Sequence, residues 1–437
     1  MGGMNIWAPG TSRQAAHRVT TAHLGAAFPF MAQGSLGWRG VYLGQDINGA
    51  GALCYDPWEL YPNVITSPNM LVLGMVGKGK SGFVKTYAWR QLAFGRRVVI
   101  LDPKDQGGQG EYSRLCQQAG VRPIRLEPGG KVRLNPLDPR GAAGVLSEQE
   151  LRQDQLSILY ALAEAAVGER GSVKGLMPRE RAALRVALDQ VCEDLGDGGE
   201  PTIERIADRL LRPTELRASR LAMAQGELLQ AGQDVAYELG RLCEGDLAGM
   251  FDGPTSRDVN FSSPLVSLDM SAIYQSEALG ILMVCAQARL RRQLMADRSV
   301  RRIMIIDEGW AVLRKLAIAR WLQGEIKLAR ALGVQVVLVV HHLKDLVATG
   351  AAGSEQVEIA KNLLSATETQ VLFAQHPAEV QQTKELLQLN EAEAHKIPSL
   401  HPHVALMRVA RRSYEFRHRL ISPEEEWLVH TDQWMAA

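Results

Sequence analysis

The eight residues that most constrain the fold of this 437-residue chain are Gly74, Met75, Val76, Gly77, Lys78, Gly79, Lys80 and Ser81. They match GxxxxGK[ST], after an apolar run and before a helix-like segment over residues 82–92. Such glycines let backbone N–H groups close around a phosphate, and the helix N-terminus adds partial positive charge. We expect this loop, with Gly82, to bind a nucleotide. Lys80 would reach the β- and γ-phosphates, and Ser81 would ligate Mg²⁺.

Short β-rich apolar runs alternate with helical periodicity on both sides of a helical block. The runs are residues 70–74, 97–102, 265–269, 303–307, 334–340 and 370–373. Short apolar runs that end in a polar residue and precede helices indicate a buried, mainly parallel sheet in an α/β domain. Ligands then belong at the carboxyl ends of the strands.

Composition shifts along the chain predict three parts. Residues 1–65 are rich in Gly and aromatic residues with turn signals, which favours a small β-rich N-terminal cap. Residues 146–249 lose the strand signal and are dominated by Leu, Ala, Arg and Glu, which predicts an all-helical insertion. The P-loop core would comprise residues 66–145 and 250–437, with two strands over 404–420 and a last helix from Pro423.

Charge and cysteine usage exclude several classes of protein. Lys plus Arg is 49 and Asp plus Glu is 48, which argues against a uniformly basic nucleic-acid-binding surface. Apolar runs such as residues 336–340 are far shorter than the roughly 18 residues of a membrane-spanning helix. The five cysteines are scattered without a CxxC pair, and the N-terminus lacks a signal pattern, so we expect reduced thiols and a cytoplasmic location.

Two adjacent carboxylates, Asp307 and Glu308, follow the apolar run 303–306. At a strand end, Asp307 can hold Mg²⁺ through water while Glu308 polarises the attacking water. The alternative is a solvated acidic turn, which is common. Together with the loop at residues 74–81, the pair favours ATP hydrolysis over nucleotide sensing, because a base candidate is present.

The order of these motifs resembles the HerA/FtsK superfamily of hexameric ATPases, and within it the conjugative (VirB-four, TraC and ConE-like) ATPases of type IV secretion systems. The resemblance covers most of the chain from about Gly37. Besides the two nucleotide motifs it rests on residues 101–104 (LDPK) with Glu111 and Tyr112, residues 133–138 (RLNPLD), residues 306–310 (IDEGW) and residues 329–333 (ARALG).

The resemblance implies a RecA-like core that hydrolyses ATP with Mg²⁺ to drive assembly or substrate transfer at the inner face of a membrane. It also implies a homo-oligomer, typically a hexamer, that contacts other secretion components and associates peripherally with the membrane. Arg330 is the candidate for an arginine supplied to a neighbouring subunit; a helix-end arginine facing solvent is the alternative.

Two departures from the superfamily concern site residues. His341 occupies the place where the superfamily usually has Gln, so it becomes the candidate γ-phosphate sensor. The alternative is that His341 and His342 only cap a strand. Residues 105–110 separate the LDPK motif from Glu111, so no role is carried over to Glu111.

Three further features have competing interpretations. The arginines of the C-terminal strand pair could line a channel, contact a neighbouring subunit or protect a solvated sheet edge, and we favour the edge; they are Arg408, Arg411, Arg412, Arg417 and Arg419. Residues 56–61 could place an aromatic ring over adenine, but core packing is favoured. His401 and His403 lack a Cys or carboxylate at ligand spacing, so no metal site is expected there.

Two rival functions stay open. One is a DNA-stimulated translocase or coupling protein of the same superfamily; the missing membrane span and neutral charge balance argue against it. The other is a nucleotide-binding assembly scaffold with little turnover. A GTPase is disfavoured because the chain has no NKxD motif.

Overall fold

The computed structural model describes most of the chain. The described residues are 36–49, 51–104, 110–140, 146–167, 175–196, 199–244, 247–273, 299–309, 333–343 and 355–430, with positions 279, 282, 292, 319 and 323. Arg330, Trp310 and residues 1–35 of the predicted N-terminal cap lie outside this description.

One mixed sheet of eleven strands organises the described residues. Its strands are β1 Val41–Asp46, β2 Ala52–Tyr55, β3 Met70–Leu73, β4 Arg97–Asp102, β5 Ile124–Arg125, β6 Leu265–Asp269, β7 Arg302–Ile306, β8 Val334–Val340, β9 Thr369–Leu372, β10 Val404–Val409 and β11 Arg412–His418. Their spatial order is β2-β1-β11-β10-β9-β3-β8-β7-β4-β6-β5.

The described helices connect or follow these strands. They are α1 Pro57–Leu60, α2 Lys80–Ala93, α3 Ser113–Gln118, α4 Glu148–Val167, α5 Pro178–Leu195, α6 Ile203–Leu211, α7 Glu215–Arg220, α8 Gln225–Glu244, α9 Glu355–Ser365, α10 Pro377–Leu387, α11 Glu391–Lys396 and α12 Pro423–Val429. None of them is both long and apolar enough to cross a lipid bilayer.

The sheet divides into a parallel and an antiparallel half. The pairs β9/β3, β3/β8, β8/β7, β7/β4, β4/β6 and β6/β5 are parallel, whereas β2/β1, β1/β11, β11/β10 and β10/β9 are antiparallel. All six strands predicted from apolar runs are present in the parallel half, so the α/β, mainly parallel prediction is confirmed. The sequence analysis missed β5, whose two residues are too few to show a pattern.

The parallel half is apolar because both of its faces are covered. In β3, Leu71 and Leu73 belong to one hydrophobic core, whereas Met70 and Val72 belong to another on the opposite face. Successive strand side chains point to opposite faces, so a strand buried on both sides becomes continuously apolar. This is why the strands could be predicted from short runs without alternation.

The region predicted as an all-helical insertion contains α4 to α8 and no strand among its described residues. In α6, Ile203, Ile206 and Leu210 are buried at helical spacing, and the Thr202 side chain accepts a hydrogen bond from the Arg205 N–H at 3.4 Å. Within the predicted cap, β1 and β2 extend the main sheet instead of forming a sheet of their own. The domain boundaries remain predictions.

The C-terminal strand pair lies inside the sheet. Strand β10 pairs with β9 and β11, and β11 pairs with β1, so the two outer strands of the described sheet are β2 and β5. The interpretation of the arginines of β10 and β11 as edge protection is therefore wrong. The error arose because the pairing of β11 with the distant β1 leaves no local signal in the sequence.

Helix α12 is fixed to α2 by a buried ion pair. Arg90 Nε and Nη2 donate to the two carboxylate oxygens of Glu425 at 2.8 and 2.6 Å. Arg90 also donates to the carbonyls of Tyr42 and Arg419. A planar guanidinium held by two parallel bonds gives a defined geometry, so the last helix has a fixed position against α2.

Candidate functional site

The phosphate loop lies between β3 and α2, where the sequence motif predicts it. A side chain at Gly74 would place its Cβ 2.6 Å from Phe373 Cβ, and Gly79 has φ +108° with His403 Nδ1 only 3.0 Å from the corresponding position. Both positions therefore require glycine. Helix α2 begins at Lys80, so its N-terminal N–H groups and its dipole face the loop.

Lys80 is buried within this loop. Its Nζ donates to the Met75 carbonyl at 2.8 Å and also to the Gly74 carbonyl. Burial, with a smaller contribution from the positive charge of Lys104, lowers the pKa of Lys80 to about 8. The ammonium is thus held by neutral carbonyl groups at the bottom of the loop.

Asp307 and Glu308 follow β7, the second neighbour of β3 across β8. Asp307 is buried, and it accepts hydrogen bonds from the Glu308 N–H at 2.9 Å and the Tyr112 hydroxyl at 3.2 Å. Burial raises the pKa of Asp307. Glu308 has φ +48°, a conformation that non-glycine residues rarely adopt and that concentrates at functional sites.

His341, directly after β8, contacts the Glu308 carboxylate. Its Nε2 lies 2.7 Å from Glu308 Oε1, within hydrogen-bond distance. His342 instead has its Nδ1 2.9 Å from Glu379 Oε2. The two adjacent histidines therefore have different environments, and only His341 faces the acidic motif.

A lysine that the sequence analysis did not single out lies among the carboxylates. Lys104 Nζ is 2.8 Å from Glu111 Oε2, 3.5 Å from Asp307 Oδ2 and 3.4 Å from Glu308 Oε1. Burial alone would lower the pKa of Lys104, but the three carboxylates outweigh burial and raise it. The ammonium is thus the counter-charge of the acidic motif.

Glu111, to which no role was carried over from the family resemblance, lies at the centre of this network. Burial would raise its pKa, but Lys104, Lys85 and a hydrogen bond from Ser81 lower it to about 2. Lys85 Nζ, on α2, lies 3.4 Å from Glu111 Oε1. Lys104 and Glu111 flank the insertion at residues 105–110. Because these two side chains are in contact, the two ends of the insertion lie close together.

Asp102, the last residue of β4, has a different character from its acidic neighbours. It accepts hydrogen bonds from the backbone N–H groups of Tyr112 at 3.1 Å and Lys104 at 3.2 Å. Burial nevertheless raises its pKa to about 8, with Asp307 and Glu111 contributing in the same direction. The two hydrogen bonds position the backbone around Lys104.

A cavity of about 1140 Å³ opens above the phosphate loop, and two groups of side chains line it beside the residues of the loop. What we call the charged end is lined by Lys104, Glu111, Glu308 and His341. What we call the C-terminal wall is formed by Pro402, His403, Arg417, His418, Arg419, Leu420, Glu426 and Val429. The remaining lining residues belong to the phosphate loop and the start of α2; they are Val76, Gly77, Gly79, Lys80, Ser81 and Gly82.

The structure thus brings most of the predicted site residues together. Gly74 and Met75 bind Lys80, Asp307 is buried behind Glu308, and Lys78 accepts a hydrogen bond from the His403 N–H at 3.0 Å. Arg330 lies outside the described residues. The aromatic segment over residues 56–61 does not line this cavity: Arg96 lies over the ring of Trp58, 4.4 Å from its centroid.

Sequence reasoning missed Lys104, Lys85 and the C-terminal wall. Lys104 stands two residues after the end of β4, at the edge where ligands bind in parallel sheets, and this position could have indicated it. Within the described residues, no group of three or more His, Cys, Asp or Glu side chains has the arrangement of a metal site.

Residues 55–225 match the family model described as "Helicase HerA, central domain". Together with the fold, this match confirms the resemblance inferred from the motifs. The matched region is thus similar to the central domain of HerA, and the chain as a whole resembles the conjugative ATPases in fold. A search of curated proteins by sequence gives no significant match.

Solved structures of this type share the fold over nearly the whole chain. VirB4 of Thermoanaerobacter pseudethanolicus superposes with a TM-score of 0.67 at 20% identity, over 90% of this chain and 100% of that one. The plasmid coupling protein TrwB, bound to the ATP analogue ADPNP, gives 0.54 at 17% identity, over 88% and 91%. TrwB with ADP and Mg²⁺ gives 0.53 at 16% identity, again over 88% and 91%. The HerA-type core thus has the α/β fold of a P-loop NTPase.

Proposed function

We propose that this protein hydrolyses ATP to power a type IV secretion or conjugative transfer machine, as a ring-shaped homo-oligomer of six subunits by analogy with the HerA/FtsK superfamily. The observation that carries the proposal is the meeting of the phosphate loop with Glu308 in one cavity. A nucleotide site with a carboxylate base at its charged end is suited to hydrolysis. The similarity of the fold to VirB4 and TrwB supports the choice of machine.

Each residue of the loop and the acidic motif receives a role. Lys80 exchanges the carbonyls of Gly74 and Met75 for phosphate oxygens, and the glycine N–H groups of the loop donate to the same phosphates. Glu308 accepts the proton of the attacking water. The contact between His341 and the Glu308 carboxylate forms or breaks according to whether a γ-phosphate is bound. His341 is therefore the γ-phosphate sensor.

The residues around the loop also fit Mg²⁺. Ser81 and Asp307 offer oxygen ligands, which Mg²⁺ prefers, and in nucleotide sites it takes only one or two protein ligands beside the phosphates. The Lys104 ammonium between Asp307, Glu308 and Glu111 shows that the cluster accommodates positive charge. When bound, Mg²⁺ neutralises charge on the phosphate oxygens.

The context of the activity belongs to the same proposal. The protein acts in the cytoplasm and associates peripherally with the inner face of the membrane through other secretion components. Arg330 completes the active site of a neighbouring subunit, where such an arginine contributes on the order of 10³ to 10⁵ in rate. DNA contact is an alternative that the experiment below tests.

The test is the steady-state ATPase rate per subunit against protein concentration, with and without single- and double-stranded DNA. A rate that rises with concentration, disappears in Glu308→Gln and ignores DNA supports a secretion ATPase with shared active sites. Strong stimulation by DNA would favour the coupling-protein alternative. No turnover under any condition, with ATP still bound, would leave the assembly scaffold.

A further inference from the structure

We propose that the ammonium of Lys104 takes the place of Mg²⁺ while the site holds no nucleotide, so that the metal enters only together with a triphosphate. Lys104 is then a positioning residue, which acts through the proposed metal ligands Ser81 and Asp307. This inference rests on the proposed function, because it presumes that these two residues bind Mg²⁺ during the reaction.

Both carboxylate oxygens of the buried Asp307 already have partners within the protein. Its Oδ1 accepts a hydrogen bond from the Glu308 N–H at 2.9 Å. Its Oδ2 accepts one from the Tyr112 hydroxyl at 3.2 Å and lies 3.5 Å from Lys104 Nζ. Two positive charges close to one oxygen repel each other, so a metal ion that approaches Oδ2 must displace the Lys104 ammonium.

The second proposed ligand, Ser81, is connected to the same ammonium through Glu111. The Ser81 hydroxyl donates a hydrogen bond to the Glu111 carboxylate, so the lone pairs of its oxygen point away from that carboxylate. Lys104 Nζ lies 2.8 Å from Glu111 Oε2, whereas Lys85 Nζ lies 3.4 Å from the other oxygen, Oε1. Lys104 therefore contacts Asp307 directly and Ser81 through Glu111, which is the position expected of a cation that replaces the metal.

The same ammonium contacts the proposed base. Lys104 Nζ lies 3.4 Å from Glu308 Oε1, and His341 Nε2 lies 2.7 Å from the same oxygen. With Asp307 and Glu111, three carboxylates share this lysine. Carboxylates that share a site repel one another unless a cation lies among them. Without Lys104 the three carboxylates would therefore present negative charge to which a divalent cation could bind.

The position of Lys104 in the cavity indicates why the exchange needs a nucleotide. Lys104 lines the cavity and 22% of its side chain is exposed, so the ammonium can turn towards a bound phosphate. A tethered ammonium has a high effective concentration at its partners, and free Mg²⁺ gives up its water reluctantly, so Mg²⁺ alone does not displace the lysine. A triphosphate brings negative charge that attracts both cations, and Lys104 then moves to the phosphates as the metal takes its place.

The experiment measures the binding of Mn²⁺, which prefers the same oxygen ligands as Mg²⁺, to the full chain without nucleotide by electron paramagnetic resonance. Lys104→Met removes the ammonium, and we expect Mn²⁺ to bind about tenfold or more tightly than to the wild type. Lys104→Arg keeps the positive charge and should bind Mn²⁺ as weakly as the wild type does. Lys361→Met is the matched control, because it removes an ammonium from an exposed ion pair with Glu358 on α9.

A second variant keeps the test decisive if Lys104→Met fails to fold. Lys104→Gln has no charge but can donate hydrogen bonds to the carboxylates, and it should gain Mn²⁺ binding in the same way. Mn²⁺ affinities of both uncharged variants equal to that of the wild type, or tight Mn²⁺ binding by the wild type without nucleotide, would overturn the inference. Adding the ATP analogue ADPNP should give the wild type tight Mn²⁺ binding. If it does not, the proposed nucleotide site fails together with this inference, a result distinct from a failure of Lys104 alone.

Discussion

The two ends of the cavity are built in opposite ways. The charged end comes from the parallel half of the sheet, where the partly buried Lys104 contacts three carboxylates and the buried Lys85 contacts one of them, Glu111. The C-terminal wall comes from the antiparallel half and from α12, and it combines apolar side chains and exposed arginines with His403, His418 and Glu426. The two groups thus differ in chemistry: one is a network of ion pairs, and the other is a mixed surface of apolar and charged side chains.

The largest expected effect concerns the charged end. Glu308→Gln removes the base but keeps the size of the side chain, and we expect the hydrolysis rate to fall by about 10²- to 10⁴-fold. Nucleotide binding should persist, since the phosphate loop is unchanged. Steady-state kinetics and calorimetry measure the two quantities. Glu424→Gln, at an exposed position of α12, is the control; hydrolysis by Glu308→Gln at the control's rate would contradict the assignment.

The next effect concerns the attachment of the wall. Arg90→Met leaves the Glu425 carboxylate buried without its partner, which should lower the free energy of unfolding by about 3–5 kcal/mol. Urea unfolding measures the change. Arg90→Met combined with Glu425→Leu should recover part of the loss, because both charges are then absent. A loss from the single variant that is close to zero would mean that the ion pair does not hold α12.

The two ends should also respond to pH in opposite directions. Asp102 at the charged end has its pKa raised from 3.8 to about 8, chiefly by burial. Between these values the unfolded chain has released a proton that the folded chain keeps, so Asp102 lowers stability as pH rises through this range. His418 at the wall has its pKa lowered from 6.5 to about 3 by burial, Arg90 and His403. It lowers stability as pH falls through that range.

Urea unfolding of single variants from pH 4 to pH 8 separates these contributions. Asp102→Asn should reduce the loss of stability on the alkaline side, and His418→Gln should reduce the loss on the acid side. The wild-type protein measured in parallel is the reference. The same pH profile in both variants as in the wild type would show that neither group keeps its shifted pKa.

The smallest effect tests the contact between His341 and Glu308. His341→Ala removes one hydrogen bond to the carboxylate, and we expect a change in hydrolysis rate of up to about tenfold. His341→Gln can restore a donor and should lie closer to the wild type. Steady-state rates under saturating ATP measure both. Equal rates for the wild type and both variants would favour the interpretation of His341 as a strand cap.

The sequence predicts the charged end far better than the wall. Gly74 to Ser81 and Asp307 with Glu308 form local motifs next to strands that are apolar on both faces, so both the elements and their common edge could be inferred. The contact between Lys104 and Glu111 was not predicted, because residues 105–110 separate them in the sequence. The wall was not predicted, because pairing with β9 and β1 fixes the positions of β10 and β11. No short segment of the sequence encodes such long-range pairing.

The pairing of β1 with β11 has a consequence for the order in which the protein matures during synthesis. The phosphate loop and the strands around it are translated early or midway, but β1 finds its partner only after β11 has left the ribosome. The cavity above the phosphate loop is therefore completed by a part of the chain that is translated long after the loop itself. A nascent chain would carry its glycine-rich loop well before β10, β11 and α12 could close the cavity above it.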